Sequence, residues 1–186
     1  TWFDGEAGQV MELLGQRVRL CPLGRSHIAN TFEWVNNYEL GRTMDRARPV
    51  SEFEHEEWFK RLVTRQDCMY WAIETREGRE HIGNVWLWDI DSRHRRAEVR
   101  VVLGRSRGQG MGSEAIGFVP QHAFRRLNLH KLYAYVLSVN PRGVRAFEQA
   151  GFVVEGVLKS DRWVDRLYVD VQLLGRVRDD GLSSAH

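Results

Sequence analysis

The sequence predicts an α/β or α+β protein with a mostly antiparallel sheet at its start and a strand–loop–helix–strand crossover in its middle. Three observations carry this. Strand-like and helix-like apolar patterns alternate along the chain, a strand at 97–103 runs through three close glycines into a long helical stretch, and no repeat or linker divides the sequence. A chain of 186 residues that is 42% apolar suffices for one domain with a core.

Taken in order, residues 17–20 alternate Val18 and Leu20 with arginines, the pattern of a half-buried strand. Ser26 is placed to cap a helix to about residue 36, with Ile28, Phe32 and Val35 on one face. Ser51 and Glu54 form an S-x-x-E capping box ahead of Trp58, Phe59 and Leu62. Strands at 69–74 and 82–89 turn at Glu77-Gly78. In the strand at 97–103, Ala97, Val99, Val101 and Leu103 share one face, and Glu98, Arg100 and Val102 the other. A helix over about 112–127 follows, then a strand at 131–137. A short helix at 142–149 stops at Gly151, and strands at 153–158 and 167–174 close the series. The expected domain is 17–174, with a lead-in at 1–16 and a polar tail at 175–186.

Composition excludes several classes. Basic and acidic side chains number 27 and 25, a net charge of +2 that argues against a nucleic-acid binder and, with the apolar content, against disorder. No apolar run reaches the roughly 18 residues of a membrane span, and residues 1–16 show no secretory signal, so a cytoplasmic protein without membrane attachment is expected. Cys21 and Cys68 form no disulfide framework, and the histidines lack H-x-x-x-H spacing, so no metal is expected. No G-x-S-x-G elbow is present for serine chemistry.

The chemistry-bearing segment is 105–115. Three glycines let the backbone turn tightly and converge its N–H groups, and the helix start adds unpaired donors and a positive dipole end. This is a receptor for phosphate or pyrophosphate. The loop contains no lysine, which excludes a P-loop, and Gly108, Gly110 and Gly112 do not meet G-x-G-x-x-G.

Arg107-Gly108-Gln109-Gly110-Met111-Gly112 resembles the R/Q-x-x-G-x-G/A pyrophosphate loop of the GNAT superfamily of acetyl-CoA-dependent N-acetyltransferases. Asn140-Pro141-Arg142-Gly143-Val144-Arg145-Ala146-Phe147, ending in Gly151-Phe152, is similar to the family's second motif, in the same order along the chain. Residues 154–158 and Asp170 resemble the branch of ribosomal-protein (RimJ/RimL-like) and polyamine acetyltransferases. The resemblance implies the GNAT fold, a central mixed, mostly antiparallel six- to seven-stranded sheet flanked by about four helices. It further implies that the backbone of Arg107, Gly108, Gln109, Gly110, Met111, Gly112 and Ser113 receives the pyrophosphate of coenzyme A. Val102 and Leu103 would pair with the pantetheine arm, an N–H there polarising the thioester carbonyl. Asn140 and Phe147 would flank the arm.

By the same resemblance Glu98 is the base that deprotonates the amine, against the alternative of a plain ion pair with Arg100 or Arg96. Many relatives carry tyrosine where Phe147 stands, and phenylalanine has no proton to give the departing thiolate. Ser138 and Tyr168 are the candidates for that role, with protonation from water as the alternative. Tyr38 and Glu39, together with Trp86 and Trp88 near Asp89 and Asp91, are the expected acceptor contacts. The expected reaction is acetyl transfer to a primary amine of a small molecule: an amino sugar, a polyamine or an aminated antibiotic. A protein N-terminus is the alternative acceptor and a silent coenzyme-A-binding module the alternative class; a homodimer fits either.

Overall fold

The structure is a computed structural model that describes residues 12–46, 48–62 and 64–179. The outer parts of the expected lead-in and tail, 1–11 and 180–186, lie outside the described residues. The strands are β1 (Leu13–Leu14), β2 (Val18–Pro22), β3 (Met69–Thr75), β4 (His81–Asp91), β5 (Arg96–Leu103), β6 (Lys131–Leu137), β7 (Val153–Val164) and β8 (Leu167–Val177). The helices are α1 (Ile28–Val35), α2 (Tyr38–Thr43), α3 (Glu52–Leu62), α4 (Met111–Arg125) and α5 (Pro141–Gln149), with a 3₁₀ turn at Arg25–His27. The strands form one sheet ordered β1-β2-β3-β4-β5-β6-β8-β7, antiparallel at every junction except β5/β6.

Alternation along β4 and β5 separates two cores. Ile82, Val85, Leu87, Ala97 and Val99 join Ala115, Ile116, Val119 and Ala123 of α4 in the main core. The opposite face sends Val102 and Trp86 against Trp34, Leu40 and Met44. The candidate acceptor pocket forms on this second face. No helix among the described residues is long and apolar enough to cross a membrane.

The capping box forms as its residues dictate: Glu54 N–H donates to Ser51 Oγ at 3.2 Å, and Ser51 N–H to Glu54 Oε2 at 3.0 Å. Ser26 does not cap α1. The chain enters through the 3₁₀ turn, where Gly24 N–H donates to His27 Nδ1 at 2.9 Å. Helix α2 was not expected; Asn37 starts it by accepting Leu40 N–H at 3.1 Å. The sheet has eight strands because Leu13, 4% exposed, pairs with Leu20 inside the expected lead-in. Strand β7 outruns its expected end because its hairpin with β8 overhangs the sheet beyond Leu137↔Val171, while β8 runs past 174 because Gly175, Arg176 and Val177 pair with Tyr133, Leu132 and Lys131. Residues 157–161 of β7 are all exposed, so no apolar alternation marks them in the sequence, while Val164 and Val169 pack with Leu137 and Val171 in a small separate cluster.

Candidate active site

Strands β5 and β6 pair only at Arg96↔Lys131, Ala97↔Leu132 and Glu98↔Tyr133. Beyond Glu98 they part, and residues 99–103 pair on their β4 edge alone. The parted edge leads directly into the glycine loop. Gly108 and Gly110 adopt φ of 83° and 74°, the left-handed region where a side chain is strained. No atom lies within 4 Å of where a Cβ on Gly108 would stand, so the backbone there is open to a close ligand. The N–H groups of residues 108–113 make no hydrogen bond among the described residues, and those of 111–113 belong to the first turn of α4. Arg17 braces the loop by donating to Gln109 O, and Arg107 Nε donates to Leu103 O at 2.9 Å.

Glu98 sits at the fork itself, 8% exposed. Arg100 grips both carboxylate oxygens, Nε to Oε1 at 2.7 Å and Nη2 to Oε2 at 2.8 Å. Arg100 also lies 5.2 Å from the ring centre of Trp88, and Arg65 lies 4.1 Å from it. Trp88 is therefore engaged by two cations.

A cavity of about 630 Å³ opens on the same sheet face, bounded by α1, α3 and the segment between α2 and α3. Its walls form an aromatic series. Tyr70 stacks on Trp86 at 5.2 Å and 9°, Trp58 meets Tyr70 edge-on at 5.7 Å, and His55 stacks on Trp58 at 5.0 Å. Burial pushes the Tyr70 hydroxyl well above its ordinary value and the His55 imidazole below its own, so both are neutral at pH 7. Trp34 links the cavity to the loop: its indole lies against Gly104, where a Cβ would come within 2.0 Å of Cε2.

Among the expected acceptor contacts, Trp86 lines this cavity, while Tyr38, Glu39 and Trp88 do not. Tyr38 is 68% exposed and donates to Asp165 Oδ1 at 2.8 Å, and Glu39 faces Arg42 at 3.6 Å. Val102 lines the cavity from β5, and Leu103 packs on the core beside Gly112. Asn140 caps α5 by accepting Gly143 N–H at 3.0 Å. Phe147 is 3% exposed, edge-on to Phe152 at 5.1 Å, a core residue. Ser138 lies in an exposed turn, and Tyr168 is 68% exposed against Trp163. Tyr133, opposite Glu98, pairs with Gly175 of β8, seven residues from Tyr168 and so roughly 23 Å along the strand. The fold does not bring Tyr168 to the fork.

Elsewhere, Cys21, His27 and Glu74 place ligand-type atoms within 4.8 Å of one another in the interior. Their valences are already used. Glu74 accepts from Arg19 at 2.7 Å and from His27 Nε2 at 2.9 Å, while His27 Nδ1 takes Gly24 N–H. Burial, then Glu74, pushes the Cys21 thiol up to about 11, which keeps it protonated.

A sheet parted beside a glycine loop and a helix start, with an aromatic cavity on one face, defines a coenzyme-A-dependent acyltransferase. The family model of the acetyltransferase (GNAT) domain matches residues 17–153. The chain belongs to this family and is an acetyl-CoA-dependent N-acetyltransferase. It is 27% identical over 152 residues to spermidine N(1)-acetyltransferase of Escherichia coli K12, covering 81% of each. It is 36% identical over 92 residues to the Vibrio cholerae spermidine N(1)-acetyltransferase, 49% of this chain and 53% of that one. The crystal structure of spermidine N-acetyltransferase from Vibrio cholerae with CoA and spermine superposes with TM-score 0.81 at 27% identity, covering 86% of this chain and 95% of that one.

Proposed function

We propose that the chain transfers the acetyl group of acetyl-CoA directly to the primary amine of a small molecule held in the aromatic cavity. The observation that carries the choice of a small acceptor is the bridge across the β7–β8 side. A peptide would enter between the first helices and the last strands. That gap is spanned by Tyr38 and Arg42 reaching Asp165, and by Arg162 pairing with Asp45 at 2.9 Å. Polyamines are the substrates named for the relatives, and they head the panel to be tried here.

Acetyl-CoA, when bound, supplies an activated thioester carbonyl. The residues present fit it. The N–H groups of residues 108–113 hold the pyrophosphate, and the unpaired edge of β5 at Val102 and Leu103 aligns the pantetheine arm. Glu98, at the fork, takes the amine proton once its carboxylate leaves the Arg100 fork. The long edge strand β7, with Val153, Val154, Val157 and Leu158 exposed, supports a homodimer, which light scattering after gel filtration would register.

Free-thiol release from acetyl-CoA with a panel of small amines and peptides tests the function. Turnover with a small primary amine and none with peptides is expected. Tight CoA binding without turnover on any amine would make the chain a silent binding module.

A further inference from the structure

The polar groups around the cavity are unevenly supplied. Two carboxylates line it, and both are taken. Glu54 accepts Arg48 at 2.8 Å together with Ser51 N–H and Oγ–H, and Glu57 accepts Lys60 at 2.8 Å. Three guanidiniums line it as well: Arg48 is held by Glu54, while Arg46 and Arg61 make no side-chain hydrogen bond or ion pair among the described residues. Arg46 has further like charges for neighbours. Desolvation lowers its pKa first, Tyr70 works against that, and Arg48 and Arg100 lower it further.

A guanidinium donates and cannot accept. The cavity therefore offers positive charge to whatever fills it, over walls built from Trp58, Tyr70 and Trp86. A polyamine is a chain of donors with positive charge. It meets no open carboxylate here.

We propose that the acceptor is a primary amine on an apolar or aromatic body that also carries an anionic group, a carboxylate or phosphate, held by Arg46. This rests on the acetyltransferase reading and deepens it by naming the acceptor's chemical class. Arg46 is a specificity residue in it. The planar guanidinium receives a carboxylate or a phosphate through two parallel hydrogen bonds, which a lysine could not reproduce. The aromatic walls take the body of the molecule.

The test uses matched acceptors: phenylalanine, its amide, O-phosphoethanolamine, phenethylamine and spermidine. Each is assayed by thiol release and by quenching of tryptophan fluorescence in the CoA-loaded protein. An acceptor with an anion should show kcat/KM at least about 10-fold above its neutral counterpart, the worth of one charge-assisted pair. Phenylalanine over its amide identifies a carboxylate site, and phosphoethanolamine over phenylalanine a phosphate site. In Arg46→Gln that preference should collapse through KM, with CoA affinity unchanged. Arg46→Lys should restore it only in part. Spermidine as the preferred acceptor, with Arg46→Gln indifferent or improved, would overturn the proposal and leave the transferase reading standing. Neither turnover nor quenching with any amine would overturn both.

Discussion

Replacing Gly110 with alanine perturbs the loop where its backbone is most constrained. Two costs are read from the structure. At φ of 74° an L-residue with a Cβ sits in the left-handed region, which costs about 1–2 kcal/mol. The added Cβ would stand 2.8 Å from Arg17 Nη1, so the end of the Arg17 side chain must shift where it braces the carbonyl of Gln109. Gly108→Ala is the internal control, because its φ of 83° carries similar strain while its Cβ meets nothing within 4 Å. If the N–H groups of 108–113 hold the pyrophosphate, displacing the loop forfeits one or two charge-assisted hydrogen bonds of about 1.5–3 kcal/mol each. Isothermal titration with CoA should then show Kd raised by about 10- to 100-fold per lost bond for Gly110→Ala. Gly108→Ala, which leaves the Arg17 brace in place, should lose less. The melting temperature of either should fall by about 2–8 °C. A folded Gly110→Ala protein with unchanged CoA affinity would refute the loop assignment.

Three further perturbations probe other parts of the account. Gly104→Ala drives a Cβ to 2.0 Å from the buried Trp34 ring, an overpacking of about 1–3 kcal/mol, so calorimetry should record a lower melting temperature; no change would mean the ring does not rest there. Glu98→Gln should reduce kcat by about 10²- to 10⁴-fold, most at low pH where amine deprotonation is hardest, and an unaltered pH–rate profile would remove Glu98 as the base. Burial works to raise the Glu74 pKa, but hydrogen bonds from His27 and Arg19 outweigh it, so the folded value lies below the ordinary one. That stabilisation is present above the unfolded value of about 4.3 and is lost as pH falls through the folded value. Melting temperatures taken from pH 6 down to 3 should show a decline that Glu74→Gln flattens, and identical acid limbs would contradict it.

What the sequence could disclose followed from how local each signal is. The capping box at Ser51 and Glu54, the loop at 107–113 and the two faces of β5 each depend on a few adjacent residues, and each is found in place. The acceptor cavity is different. Thr31, Arg46, Trp58, Tyr70 and Trp86 come from five separate segments, and a period says which face a residue takes, not what it meets there. Trp58 read only as part of the helix that follows the capping box, and Arg46, between two helices, carried no pattern at all. Trp88 and Tyr38 mark the opposite failure. Their residue types suit an amine pocket, yet Arg65 and Asp165 engage them first. Phe147 remains informative: its burial against Phe152 explains why an apolar ring is kept there, at the expense of a proton donor.

The central claim is that one continuous stretch, the free edge of β5 and the loop that follows it, receives coenzyme A. Amide hydrogen exchange with and without CoA measures this directly. Slowed exchange concentrated in peptides covering residues 99–113 is the expected result, because the edge of β5 turned away from β4 and the N–H groups of 108–113 lack partners until pantetheine and phosphate supply them. Protection that falls elsewhere while these amides exchange as fast as before would contradict the account.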